Sequence, residues 1–282
     1  MNKIRFRNGY YILVLALLGW GCVAAVPAIE TYQTYTFGKS GKAAVQSLQP
    51  IGFEEEQAIG GSLAIQVFNR FGGMYDNPEL QRYIATVGQA VADVSDRHNI
   101  DYYFAVVNDE QPNAFATPGG YVFLSIGLIR LLENEAQLAG VLGHEIAHIS
   151  QKHALKALER NKKIAGFGAL SVSMMGADPT VFDKVLEQAA EILFTHGLDK
   201  GLEYEADRFG TDFASRVGYR ASGLKDFLGT LQKSLPNTES ALLSTHPSAS
   251  DRLAQLSQQM GLSSNDSPLL AEQFQDAVKG KI

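Results

Sequence analysis

His144-Glu145-Ile146-Ala147-His148 lies within a stretch, Glu135 to Arg160, that contains no proline and only two glycines. Apolar residues recur at helical spacing in this stretch, which predicts an amphipathic helix. Residues four apart lie on one helical face, so His144 and His148 can hold one metal ion from the same side. Two neutral imidazoles suit zinc, whose catalytic sites use three protein ligands and a water. Glu145 is then placed to act as the base that activates this water.

A third metal ligand must come from outside this HExxH motif. The extended metzincin pattern requires a histidine six residues after the second one, where this chain has Ala154. His153 follows His148 by five residues, which places the two about 140° apart around a continuous helix. We therefore expect His153 to be a surface histidine that takes no part in the metal site.

An acidic segment further along the chain, Glu203 to Asp207, offers the missing ligand. Glu203 and Asp207 are four apart in a second helical stretch, and Glu203 can complete the zinc site. Asp207 can accept the second ring N–H of a ligating histidine, which fixes the tautomer of that ring. Glu205 points off this face of the helix, which predicts a solvated charge.

Four segments of the chain together resemble one family of peptidases, although none of them is specific alone. They are Asn113 to Gly120, Glu135 to His148, Glu203 to Gly210, and Thr245 to Ser248 with Arg252. With these segments the chain resembles the gluzincin zinc metallopeptidases that include the HtpX heat-shock proteases and the CAAX prenyl endopeptidases. It is most similar to the periplasmic branch of that family, the BepA and LoiP type. One departure is the segment before Glu203, which lacks the Ser-Arg pair that family members often carry.

The resemblance assigns roles to residues that spacing alone leaves open. It implies that Glu203 is the third ligand of one Zn²⁺ ion per chain. It also implies that His246 lies over the metal, where it is either a fourth ligand at rest or a group that stabilises the oxyanion. Arg252 belongs to the same active-site unit in that family. Peptidases of this class bind an extended substrate along an edge strand, here Asn113, Ala114, Phe115 and Ala116.

The predicted fold class is α+β and mainly helical, a zincin-type domain whose small β-sheet packs on the HExxH helix. Strands are predicted over residues 100–107, 113–116 and 121–125, and Thr117-Pro118-Gly119-Gly120 forms the turn between the last two. Helices are predicted over residues 53–71, 78–94, 180–194, 200–217, 221–234 and 249–260.

The N-terminus has the features of an export signal, with Lys3, Arg5 and Arg7 before an apolar core and small residues up to Ala28. The domain organisation is predicted as a signal peptide or anchor (1–28), a linker (29–50), a metallopeptidase domain (51–262) and a C-terminal tail (263–282). Cys22 lies where a lipoprotein signal places its acylated cysteine, but Gly19 replaces the usual leucine. Cleavage at Ala25 or Ala28 and an uncleaved membrane anchor are the rival interpretations. The expected location is the periplasm, with lipid attachment to the outer membrane left open.

Composition excludes several other classes of protein. The net charge of −6 and the lack of a basic patch argue against a nucleic-acid partner. The single cysteine excludes a thiolate metal site and a disulfide framework within the chain. No feature of the sequence specifies an oligomeric state.

The sequence therefore predicts an exported zinc metalloendopeptidase that acts on protein or peptide substrates. The resemblance suggests that these substrates are misfolded or envelope proteins. The main alternative is a zinc-stabilised, chaperone-like binding module in which His246 closes the site and leaves little turnover. A zinc hydrolase that does not cleave peptides is a third interpretation, but it gives no reason for the Asn113 to Ala116 strand.

Overall fold

The computed structural model describes residues 51–160, 179–234, 242, 245–246, 249–260, 267–278 and 281–282. The predicted signal region, the linker and Cys22 lie outside these residues. Within them the chain is mainly helical with one small sheet, which confirms the predicted α+β class. No helix of the described part is long and apolar enough to cross a membrane.

The described residues form ten α-helices and three strands, and the strands follow one another after the second helix. The helices are α1 (Phe53–Arg70), α2 (Pro78–Ala92), α3 (Ile126–Leu131), α4 (Glu135–Ser150), α5 (His153–Arg160), α6 (Pro179–Glu191), α7 (Lys200–Val217), α8 (Gly223–Ser234), α9 (Ala249–Met260) and α10 (Ala271–Val278). A π-helical turn, Ile192–His196, continues directly from α6. The strands are β1 (Tyr103–Val107), β2 (Ala114–Thr117) and β3 (Tyr121–Ser125).

The sheet has the order β1-β3-β2, so β2 is an outer strand. β3 pairs in parallel with β1 and antiparallel with β2. The turn between β2 and β3 needs backbone with positive φ, which Gly119 and Gly120 supply at +81° and +110°. The predicted hairpin is therefore confirmed, and it leaves one edge of β2 facing the helix that carries the HExxH motif.

Alternate residues of the strands enter two different hydrophobic clusters. Val106, Val122 and Leu124 join the cluster that surrounds α4. Val107, Phe115 and Phe123 join a second cluster with α1, α5 and α6. This division follows from the period of two along a strand, and it places the sheet between the two helical layers.

α4 is the central helix of the fold, and all of its residues are buried. Asn134 begins it as an N-cap whose Oδ1 accepts a hydrogen bond from the Gln137 amide at 3.0 Å. A helix that is apolar on most of its circumference belongs inside a protein. The polar HExxH side chains are therefore largely held away from bulk water.

The stretch from Glu135 to Arg160 forms two helices, which corrects the prediction of one continuous helix. α4 ends at Ser150, and Lys152 takes a left-handed backbone conformation with φ +56°. Non-glycine residues rarely adopt this conformation because the Cβ atom crowds the following carbonyl. The break redirects α5, and with it the side chain of His153.

Candidate metal centre

α4 and α7 approach so closely that their backbones touch. A Cβ atom on Gly143 would lie 2.5 Å from the Gly210 carbonyl oxygen, and one on Gly210 would lie 2.5 Å from the His144 nitrogen. Only glycine at both positions allows this approach. The contact brings the acidic face of α7 directly against the histidines of α4.

Four buried side chains converge at this contact, namely His144, His148, Glu203 and His246. His144 Nε2 lies 3.0 Å from His148 Nε2 and 3.5 Å from Glu203 Oε2. His148 Nε2 lies 3.5 Å from Glu203 Oε1. His246 Nδ1 lies 3.3 Å from His144 Nε2 and 3.1 Å from Glu203 Oε2. One atom from each residue can be chosen so that all lie within 4.8 Å of one another.

These separations fit a zinc ion held by nitrogen and oxygen donors. Donors bound tetrahedrally at about 2.0–2.1 Å from zinc are roughly 3.3–3.4 Å apart. The observed distances of 3.0 to 3.5 Å between donor atoms bracket this value. The donor set of imidazoles and a carboxylate, without sulfur, is also one that zinc accepts.

A buried ion pair lies behind His144. Asp207 Oδ1 is 2.9 Å from His144 Nδ1. Arg252 donates from Nε and Nη2 to the two Asp207 oxygens at 2.8 and 2.6 Å, and its Nη1 lies 3.1 Å from Glu203 Oε2. Arg252 is only 3% exposed. This bidentate pair fixes the Asp207 carboxylate, which in turn orients the His144 ring.

The pKa values of the two histidines of α4 shift in opposite directions. For His144, burial and the Arg252 charge disfavour protonation, but hydrogen bonds to Asp207 and Glu203 prevail and raise the pKa to about 9. For His148, burial and the charge of His144 hold the pKa well below its usual range. The difference arises because the Asp207 carboxylate contacts Nδ1 of His144, whereas Nδ1 of His148 contacts the His153 ring instead.

Glu145 is the one carboxylate of the group with a free oxygen. It is 1% exposed, and its Oε2 has no hydrogen-bond partner among the described residues. Its Oε1 is 3.6 Å from His246 Nε2, beyond normal hydrogen-bond distance. Burial raises the pKa of Glu145. A buried carboxylate beside the metal group that has an unpartnered oxygen is suited to accept a proton from a reactant.

His153 is not a surface histidine, and this prediction was wrong. It is fully buried, and its Nδ1 lies 2.9 Å from the Nδ1 of His148. Glu205 is not simply a solvated charge either, because its Oε2 lies 3.2 Å from His153 Nε2. One signal in the sequence could have indicated the burial. Ile146, Ile149 and His153 follow one another at spacings of three and four, so His153 continues an apolar stripe.

The outer strand β2 lies beside the metal group. A cleft separates the two, and it is lined by Ala114, Phe115, Ala116, Glu145, His148, Leu193, Gly197, Leu198, Thr245 and His246. Asn113 precedes β2 and accepts hydrogen bonds at Oδ1 from the Ala114 amide and from Thr245 Oγ1. This side chain therefore connects the strand to the segment that carries His246.

The chain is similar to known peptidases over much of its length. The profile of Peptidase family M48 matches residues 78–260. The chain is 32% identical over 216 residues to a beta-barrel assembly-enhancing protease of Yersinia pestis, covering 72% of this chain and 43% of the relative. A protein of the same name from Shigella flexneri is 31% identical over 194 residues, 64% and 39% of the two chains. The mitochondrial metalloendopeptidase OMA1 of Schizosaccharomyces pombe is 26% identical over 180 residues, 62% and 51% of the two chains.

The fold and the group of donors are compatible with a zincin-type domain. With a match that covers more than half of its residues, the chain belongs to peptidase family M48. It spans less than half the length of the beta-barrel assembly-enhancing proteases that it matches.

Proposed function

We propose that this chain is a zinc metalloendopeptidase that cleaves internal peptide bonds of protein substrates. In this proposal His144, His148 and Glu203 hold one zinc ion, and Asp207 and Arg252 fix the orientation of His144. The observation that carries the proposal is the meeting of four buried donor groups with the unpartnered Oε2 of Glu145. A family match and relatives named as proteases support the same chemistry.

Each side chain of the site has a distinct task in hydrolysis. When bound, zinc polarises the scissile carbonyl and makes a water ligand more acidic. Glu145 takes a proton from the attacking water at Oε2 and later donates it to the leaving amine. His246 stabilises the negative charge that develops on the carbonyl oxygen. Because Glu145 touches the reacting water and does not hold the metal, its loss should affect the rate of hydrolysis alone.

The substrate is proposed to bind as an extended chain along β2. The main-chain groups at an outer edge are free to pair with an added strand, and such pairing is indifferent to sequence. Asn113 keeps the start of β2 in place through its bonds to Ala114 and Thr245. The cleft between β2 and Glu145 is narrow, so we expect small side chains to be preferred next to the scissile bond.

His246 distinguishes the peptidase from a zinc-stabilised binding module. Its Nδ1 is within ligand range of the other donors, so a metal there can have four protein ligands. We propose that His246 holds the fourth position only at rest and leaves it when substrate arrives. A binding module would keep all four ligands, and it would show no turnover.

The proposed setting is the periplasm of a bacterium, where the chain would act on misfolded or envelope proteins. The names of the beta-barrel assembly-enhancing proteases support an envelope role. Attachment to the outer membrane through Cys22 is part of this proposal. Fractionation of cells that express the wild type or Cys22→Ala tests it, because loss of an acylated cysteine would release the protein from the membrane fraction.

Casein digestion with and without a chelator tests the activity. We expect the purified protein to degrade casein, chelation to stop it, and added zinc to restore it. Glu145→Gln should lower kcat by about 10²- to 10⁴-fold while metal analysis still finds one zinc per chain. Glu187→Gln, an exposed carboxylate on α6, is the matched control and should keep full activity. A wild type that binds zinc but never digests casein favours the binding module.

A further inference from the structure

His148 has a partner on each of its ring nitrogens. Its Nε2 faces the donor group, 3.0 Å from His144 Nε2. Its Nδ1 faces the opposite way and lies 2.9 Å from His153 Nδ1. His153 in turn places its Nε2 at 3.2 Å from Glu205 Oε2. The side chains of His148, His153 and Glu205 form a line of polar contacts from the metal group to the protein surface.

The direction of the hydrogen bonds in this line is fixed by the metal site. A histidine that binds a metal through Nε2 must be neutral and must carry its proton on Nδ1. His148 therefore donates from Nδ1, and His153 accepts at Nδ1. A neutral His153 then carries its own proton on Nε2, where Glu205 accepts it. Each ring nitrogen of His148 and His153, and the Glu205 oxygen, then has a single role as metal ligand, hydrogen-bond donor or hydrogen-bond acceptor.

We propose that His153 is a positioning residue that fixes the tautomer and the ring orientation of His148, and that Glu205 acts on His148 only through His153. The inference rests on the zinc site of the proposed function. It adds a second support for the metal, made from an imidazole and a carboxylate, on the side of the site away from Asp207.

The surroundings of His153 favour this role over simple packing. The ring is fully buried, while Glu205 keeps about a third of its side chain exposed. The left-handed conformation of Lys152 turns the chain so that His153 faces His148. An apolar residue would fill the space but would leave the His148 N–H without an acceptor.

Zinc affinity, measured by competition with a chromogenic chelator on the full chain, tests the proposal. We expect His153→Leu to weaken zinc binding by about 10- to 100-fold, as for other outer partners of zinc-bound histidines. His153→Asn should restore most of the loss, because Asn Oδ1 takes the position of the accepting Nδ1. His98→Leu, which removes an exposed histidine, is the control and should bind zinc like the wild type.

The role of Glu205 is tested with a double-mutant cycle. Glu205→Ala should weaken zinc binding by a few-fold, less than His153→Leu, because the carboxylate acts at one remove and is partly solvated. The double variant of His153→Leu and Glu205→Ala should be no weaker than His153→Leu alone. Additive losses would show that Glu205 acts independently, and they would overturn that part of the proposal.

Two further measurements separate positioning from general stability. Visible spectra of the cobalt-substituted protein report the ligand geometry, so His153→Leu should change the bands and His153→Asn should restore them. Thermal unfolding of the chelated proteins shows whether each variant folds; if His153→Leu does not fold, the zinc affinity of Glu205→Ala decides. Wild-type affinity and spectra in a folded His153→Leu protein, or wild-type affinity in Glu205→Ala where His153→Leu does not fold, would overturn the proposal. If the wild-type protein binds no zinc, both the proposed metal site and the proposed role of His153 and Glu205 are wrong.

Discussion

His144 and His148 lie one turn apart on α4, yet the side chains behind them differ in charge and in exposure. Behind His144, Asp207 lies in direct contact and is clamped by Arg252, and each of these side chains is at most 4% exposed. Behind His148, the neutral ring of His153 lies between the ligand and Glu205, whose side chain is 34% exposed. In the proposed zinc site, the two ligands are therefore oriented in different ways, one through a buried ion pair and one through a partly solvated line of hydrogen bonds.

Substitutions behind His144 and behind His148 should therefore differ in how much they destabilise the protein. A buried charge that loses its partner remains in a medium of low dielectric constant, whereas an exposed one is screened by water. We therefore expect changes near His144 to affect both metal binding and folding. Changes near His148 should affect metal binding more selectively.

The largest loss of zinc should follow Glu203→Ala, which removes a donor shared by both sides. Glu203 contacts His144, His148 and Arg252. We expect zinc affinity to fall by more than the roughly 10- to 100-fold that is typical of outer partners. Metal analysis after dialysis checks this result. A variant that keeps full zinc and full activity would remove Glu203 from the ligand set.

Arg252→Met should produce the largest loss of stability. It leaves the buried carboxylates of Glu203 and Asp207 without their guanidinium partner, and breaking a buried ion pair costs about 3–5 kcal/mol. Urea denaturation of the chelated protein measures this change. Arg216→Met, which breaks the exposed pair with Asp212, is the matched control and should cost less than about 0.5 kcal/mol. Equal effects of the two variants would contradict the contrast between buried and exposed partners.

Asp207→Asn and Glu205→Gln compare the two sides directly, because each removes one negative charge with little change in shape. We expect Asp207→Asn to lower zinc affinity by about 10- to 100-fold, since an amide can also stabilise the wrong tautomer of His144. Glu205→Gln should have a smaller effect because its amide oxygen still accepts from His153. Chelator competition checks both. A larger effect at Glu205 would reverse the proposed order.

Lys156→Gln should give the smallest effect. Lys156 Nζ lies 3.9 Å from Glu205 Oε2, and its side chain is 41% exposed. Exposed pairs contribute about 0–1 kcal/mol and are screened by salt. We expect less than about a twofold change in zinc affinity, and none at high ionic strength. A large change in zinc affinity in chelator titrations would show that Lys156 acts together with His153 and Glu205 on His148.

Most of the fold could be predicted because its signals are local. The short apolar and aromatic run of 121–125, the glycines of the turn before it and the apolar stripe of α4 each predict their element within a few residues. The geometry of His144, His148, Glu203 and Asp207 follows in the same way from spacings of four on helices. No local signal marks the end of α4, since Gln151 and Lys152 are neither glycine nor proline. For that reason the contact between His153 and His148 could not be predicted, although the apolar stripe indicates that His153 is buried.

The sequence by itself determined the donor types, the base and the helical faces that carry them, because residues four apart on a helix share a face whatever surrounds it. Only the tertiary structure decided which distant side chains meet them. The approach of Gly143 to Gly210 brings α7 against α4, and the left-handed Lys152 turns His153 under His148. These contacts depend on packing between segments far apart in the chain, which no local pattern encodes.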